Sequence, residues 1–163
     1  MKTKKLTVMA LTTALAMILS FVESQIPAFV AVPGVKMGLA NIAVVFALYK
    51  LGWKEASAIS LVRVVLVSML FGSIASLFYS LAGAVLSLVG MGLLKRSGKF
   101  TEIVVSVAGG VLHNIGQLAM ASIILETDVL RYYLPVLAVS GITAGVVIGV
   151  VSAIMVKRIP IEI

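Results

Sequence analysis

The charged residues of this chain, Arg63 apart, fall in short gaps between long apolar stretches, and that pattern excludes most ways of folding. Only 12% of the residues are charged, against 61% hydrophobic. A water-soluble domain of 163 residues needs a polar shell that this composition does not supply. The mean hydropathy of +1.21 and the recurrence of apolar runs of membrane-spanning length indicate an all-α integral membrane protein. There is no cysteine, so there is no disulfide and no thiolate metal site. A net charge of +7 has the right sign for nucleic acid. The charges sit between spans, however, and read as topology signals, so no nucleic-acid partner is expected.

The opening MKTKKLTVMALTTALAMILSF has the basic residues and apolar core of a signal peptide. Its apolar run is too long, and no clear A-x-A site precedes Glu23, so it is read as a retained first helix. Helices are expected near 6–22, 38–53, 55–71, 73–94, 102–125 and 132–156, forming a single membrane domain over 1–163. The second is short, with Lys36 and Lys50 placed to snorkel at its ends. From Val62 to Leu94 the chain is apolar apart from Arg63 and small polar residues. One helix over that length would measure about 50 Å. The chain must turn back, and Gly72 in LFGSIAS is the best breaking point.

Six spans put both termini on one side. That side collects Lys2, Lys4, Lys5, Lys50, Lys54, Lys95, Arg96, Lys99, Lys157 and Arg158, and the other keeps Lys36 and Arg131. The imbalance makes both termini cytoplasmic, in a multi-pass protein of the prokaryotic plasma membrane. Small residues recur along two spans: Ser76, Ser80, Gly83, Ser87 and Gly90 in the fourth, and Gly141, Gly145, Gly149 and Ala153 in the sixth. Such stripes let helix backbones approach closely, either to hold a compact bundle or to form an interface that moves. Ala10 and Ala14 make an A-x-x-x-A face on the first span, which by itself says only that something packs there.

Polar residues at bilayer depth carry the functional reading. In SVAGGVLHNIGQLAMAS (106–122) His113 and Gln117 lie four residues apart on one helix face, with Asn114 beside them. Arg63 lies near mid-depth of the third span, and Tyr79 in the outer half of the fourth. Glu23, Ser24 and Gln25 end the first span on the outer side, where Lys36 and Asn41 open the second. Groups from five helices thus converge on the outer half of the bundle. A charge at the membrane centre costs at least about 2.5–3.5 kcal/mol, so Arg63 needs a partner or a wet cavity. Three arrangements answer that need. Arg63 pairs internally with Glu23; or the group forms a pocket for a polar ligand; or His113 serves a proton relay, against which stands the lack of acids at mid-depth. The segment ESQIPAFVAVPGVKMG favours a pocket, because an apolar outer loop with two prolines must bury itself, and dipping over a cavity is one solution.

The pieces ESQIP, PGVKMGLANI, YSLAGAVLSL, VAGGVLHNIGQL and the late YLPVL followed by spaced glycines resemble the Gx transporter family, whose members are often labelled heptaprenyl diphosphate synthase component I. The family is in turn similar to the substrate-binding S components of energy-coupling factor transporters. The resemblance implies a six-helix bundle with an outward pocket under the first loop. It also implies a first-helix alanine face, here Ala10 and Ala14, that docks a transmembrane coupling subunit served by cytoplasmic ATPases. His113, Asn114, Gln117, Lys36 and Asn41 match the family's own motifs. The synthase label sits badly with the residues. Prenyl elongation needs clustered aspartates to hold magnesium against a diphosphate, and Asp128 is the one aspartate here. No Walker motif, triad or metal cluster appears, and a lone His113 makes no metal site, so no catalysis, cofactor or metal is expected.

Two functions remain open. One is a specificity subunit that binds a small solute from outside through Glu23, Lys36, Asn41, Arg63, Tyr79, His113, Asn114 and Gln117. The other is a non-transport accessory or anchor subunit for a prenyl-diphosphate or redox enzyme. The distinctive residues lie at depth, while the cytoplasmic loops offer little beyond KRSGKF and KLGWKE, which favours the first. Arg63, Lys36 and His113 point to an anionic group or an acceptor-rich heterocycle, such as a vitamin-like or isoprenoid-precursor solute. Trp53 reads as an interfacial anchor.

Overall fold

The computed structural model describes residues 2–25, 38–127 and 129–161. Lys36, Asp128 and most of the apolar first loop lie outside the described residues, and so does the side chain of Arg131. The described chain is all helical: α1 (Lys2–Gln25), α2 (Asn41–Lys50), α3 (Trp53–Phe71), α4 (Ile74–Ser97), α5 (Glu102–Ile124) and α6 (Leu134–Arg158), with a 3-10 turn over Val129–Tyr133 ahead of α6. Four of these helices, α1, α4, α5 and α6, are long and apolar enough to cross a bilayer. Large apolar side chains such as Leu11, Ile18, Met69, Ile123 and Val147 cover the outside of the bundle, as lipid contact requires.

Local signals account for the helix ends. The break between α3 and α4 falls at Gly72, as expected, and Ser73 then caps α4 by accepting the Ser76 N–H. α4 stops at Gly98, whose φ of 68° is cheap only for glycine. Thr101 caps α5 in the same way as Ser73 caps α4, with Glu102 in the first turn.

The second helix differs from expectation. It was expected over 38–53 and covers only Asn41–Lys50, about 15 Å of helix and half of a hydrocarbon core. Gly38 and Gly52 take φ of 75° and 117°, so the chain leaves helical geometry at both ends of the apolar run. Six consecutive residues of α2, Ala43 to Leu48, are buried. A helix that is apolar all round belongs inside a bundle, and α2 lies there against α1, α3 and α6.

The small-residue stripes are helix interfaces. α5 packs between α4 and α6, the two most extensive pairings in the bundle. A Cβ on Gly145 would lie 2.6 Å from the Val107 Cα, and one on Gly110 would lie 2.6 Å from the Gly141 carbonyl oxygen. On the other side, a Cβ on Gly116 would lie 2.7 Å from the Ala82 carbonyl oxygen. Backbone contact of this kind supplies the van der Waals attraction that lipid cannot supply through a hydrophobic drive.

The buried apolar core occupies one half of the bundle, where Val44, Val45, Leu48, Ile59, Leu88, Met91 and Val105 meet. At that end Lys5 pairs with Glu55 at 2.5 Å. The Lys95 ammonium bonds the Leu48 carbonyl at the end of α2. Trp53 is 49% exposed. Its indole lies over Gly92 and donates to the Leu88 carbonyl at 3.3 Å, an amphipathic placement that suits a membrane interface.

Candidate functional site

In the opposite half the helices do not close on one another. α1 presents Ser20, Glu23 and Ser24; the entry to α2 presents Gly38 and Asn41; α3 presents Arg63, Val64, Val67, Ser68 and Phe71; α4 presents Ser76 and Ser80; α5 presents His113 and Gln117. Together they line a cleft of about 60 Å³, room for a few waters. Gly38, Asn41 and His113 also line a hollow of about 20 Å³ behind it, walled by Val45, Met91, Gly109, Asn114 and Ile148. His113 thus stands between the polar cleft and a more apolar recess.

Helix periodicity explains the lining. Ser76, Ser80 and Gly83 share a face of α4, and His113 and Gln117 share a face of α5. Gly83 brings the two faces together: a Cβ there would lie 2.7 Å from the His113 carbonyl oxygen and 3.0 Å from its imidazole Cε1. On α3, Arg63, Val67 and Ser68 follow at helical spacing toward Phe71. The Phe71 ring stacks at a tilt on Phe21 of α1, with centroids 5.1 Å apart, and so joins α1 to α3 beside the cleft.

Among the described residues, Arg63 is the cation of the cleft. Its Nη1 reaches the Ser20 hydroxyl at 3.5 Å. Its Nε is buried without a hydrogen-bond partner among the described residues. Glu23, only 9% exposed, lines the same cleft. The Glu23 Oε1 accepts the Gly38 N–H at 2.5 Å and ties the end of α1 to the approach to α2. Among the described residues, no three His, Cys, Asp or Glu side chains come together as metal ligands. Among the described residues, the arrangement offers hydrogen-bond donors, acceptors, a cation and a carboxylate around a small space.

Five residues expected at the site from sequence, Glu23, Asn41, Arg63, His113 and Gln117, therefore do meet. Lys36 lies outside the described residues. Tyr79 does not line the cleft, because it sits about 100° round α4 from Ser80. Asn114 faces the inner recess, and its amide donates to the Leu137 carbonyl at 2.8 Å. That bond joins α5 to α6. The sequence reading missed Ser20 and Ser68 in the lining. Ser20 lies at helical spacing to a named charge, three residues before Glu23, whereas Ser68, five after Arg63, is about 140° round α3 from it. Ala10 and Ala14 are exposed on α1, while Thr12 and Ala16 face inward. The A-x-x-x-A face is therefore not part of the internal packing.

No curated protein and no solved structure shows significant similarity to the chain. A family model described as heptaprenyl diphosphate synthase component I matches residues 12–155, from the first helix through nearly all of the last. The match takes in every helix that lines the cleft, and the chain belongs to that family.

Proposed function

We propose that this chain is the substrate-binding subunit of an uptake transporter of the energy-coupling-factor type, with six passes of the chain through the membrane, the short α2 completing its pass with its non-helical flanks, and cytoplasmic termini. The observation that carries the proposal is the polar cleft itself. An arginine, a histidine and a carboxamide at membrane depth line a space that the surrounding side chains leave unfilled. An intramembrane ionisable residue is expensive, and in a protein with nothing to bind it is the first thing to be replaced by packing. A small polar solute enters the cleft from the outer side, displaces its water and hydrogen-bonds Arg63, His113 and Gln117. The exposed Ala10 and Ala14 face seats the transmembrane coupling subunit, whose cytoplasmic ATPases supply the energy. The chain itself is not catalytic in this reading.

The family's name favours a second reading, an accessory subunit of a prenyl-diphosphate enzyme. What co-purifies separates the two. The protein isolated from its own membranes is expected to release a small solute in native mass spectrometry and to bring down a helical membrane partner with ATPases. Replacing Ala10 and Ala14 together by Leu is expected to abolish that capture. Stability should stay within about 0.5 kcal/mol, because both sites are exposed. Recovery of a prenyl-elongating enzyme with no bound solute would establish the second reading.

A further inference from the structure

α1 packs against α2 and α3, and α6 packs against α2 and α5. Between α1 and the end of α6 a groove of about 590 Å³ stays open, and it shares no lining residue with the polar cleft. Its walls are Val8, Leu11 and Leu15 of α1, with Met155 of α6 and Ile159 just beyond it, and Phe46 of α2 forms the floor. Leu11 is 66% exposed, so the groove opens sideways, toward lipid. Thr7 and Thr12 also line it, but their hydroxyls already donate to the Thr3 and Val8 carbonyls at 3.0 and 2.7 Å. The walls are thus apolar in effect as well as in composition.

Lys4 stands at one end of the groove. From Lys4 to Leu15 is about 16 Å of helix, close to the depth of one leaflet of hydrocarbon. Lys4 makes no ion pair among the described residues, whereas Lys5 beside it pairs with Glu55 of α3. The two segments that reach this end, 1–5 and 157–163, carry Lys2, Lys4, Lys5, Lys157 and Arg158 against one acid, Glu162. With Lys5 matched by Glu55, the excess is still positive.

We propose that this groove holds an acyl chain of an anionic phospholipid, with the headgroup at Lys4. Apolar walls of one-leaflet depth, with positive charge at the interfacial end, match that amphiphile from tail to head. A polar solute finds no free donor along the walls. A zwitterionic lipid fills them but leaves the basic end without a counter-charge. With cytoplasmic termini this is the inner leaflet, whose anionic lipids are drawn to basic side chains at helix ends. Ala10 and Ala14 do not line the groove, so a lodged chain leaves that face free. The site depends on the bilayer and not on what the polar cleft binds.

The test is native mass spectrometry of the full chain, delipidated in detergent and titrated with phosphatidylglycerol or phosphatidylcholine of the same acyl chains. Wild type is expected to retain one phosphatidylglycerol at least about tenfold more tightly than phosphatidylcholine, an advantage that shrinks as salt rises. That comparison needs no variant to fold. Lys4→Gln should cut the advantage about fivefold, the effect of one basic residue beside an anionic surface. Leu11→Trp puts an indole into the groove from an exposed site. It should weaken retention of both lipids at least about fivefold and keep the ratio between them. Equal affinity of wild type for the two lipids overturns the proposal. Unchanged retention by Leu11→Trp places the lipid elsewhere and overturns it as well. If that variant keeps its lipid and loses a captured membrane protein instead, the groove seats a partner helix.

Discussion

The half of the bundle around Met91 and the half around Arg63 share three helices, α3, α4 and α5, yet the first is an apolar core and the second a polar cleft. Ile59 and Arg63 are one turn apart on α3. The first is 1% exposed within the apolar core, and the second lines the cleft. Met91 and Ser80 lie eleven residues apart on α4, three turns along one face, and show the same exchange. In the packed half, large apolar side chains meet at interior density and gain dispersion contacts throughout. In the cleft half, serines and glycines replace them, so the helices approach without filling the space between, and polar groups border what remains. The difference teaches that each helix here is two devices end to end, a structural one and a binding one. It also separates substitutions that cost stability from substitutions that cost affinity.

The largest effect expected from this contrast is at Met91. Met91→Ala should lower unfolding stability by about 2–5 kcal/mol, because it removes a buried side chain from the apolar core and enlarges the hollow it walls. Val67→Ala, on the cleft wall, should cost less than about 1 kcal/mol. Denaturant unfolding of both variants in the same detergent measures the pair, and equal losses would break the distinction between the two halves. Next in size is Gly145→Ala, whose new methyl meets the Val107 backbone. A loss of about 1–3 kcal/mol is expected, since backbone on both sides cannot yield as a flexible side chain would.

His113→Ala should act on the other property. Binding of the co-purified solute is expected to weaken by about 1–3 kcal/mol, the cost of stranding a hydrogen-bond partner, with little change in melting temperature. Melting and solute binding are measured on the same protein. A destabilised variant with intact affinity would assign His113 to internal bridging. The smallest perturbation is a single cysteine at Ser24 or Ser97, both exposed, on opposite ends of the bundle. An impermeant thiol reagent on whole cells should label position 24 and not 97. The reverse pattern would turn the cleft toward the cytoplasm.

Much of the fold was legible because its signals are local. The turn at Gly72 followed from a limit on helix length, and the stripe of Gly141, Gly145 and Gly149 from residue size alone. The extent of α2 was not, because an apolar run continues through glycines whose φ sign is set only when the chain is packed. Within the site, Arg63, His113 and Gln117 stood out because apolar sequence makes a polar residue conspicuous. Ser20 and Ser68 did not, since a serine in a membrane helix bonds its own backbone as readily as it lines a cavity.

The sequence by itself determined that this chain is a helical membrane protein, where most of its helices begin and end, and which side chains are too polar to face lipid. Composition and period suffice for that, because each is decided by a residue's own transfer energy or by its nearest neighbours in the chain. Only the tertiary structure decided which polar groups answer one another. It set Glu23 against the Gly38 N–H and Arg63 beside the Ser20 hydroxyl, turned Asn114 to the Leu137 carbonyl, moved Tyr79 off the cleft and left Ala10 and Ala14 facing outward. Those outcomes depend on how helices remote in sequence rotate and approach, and that is fixed by the close contacts of glycine and serine faces rather than by any single residue's preference.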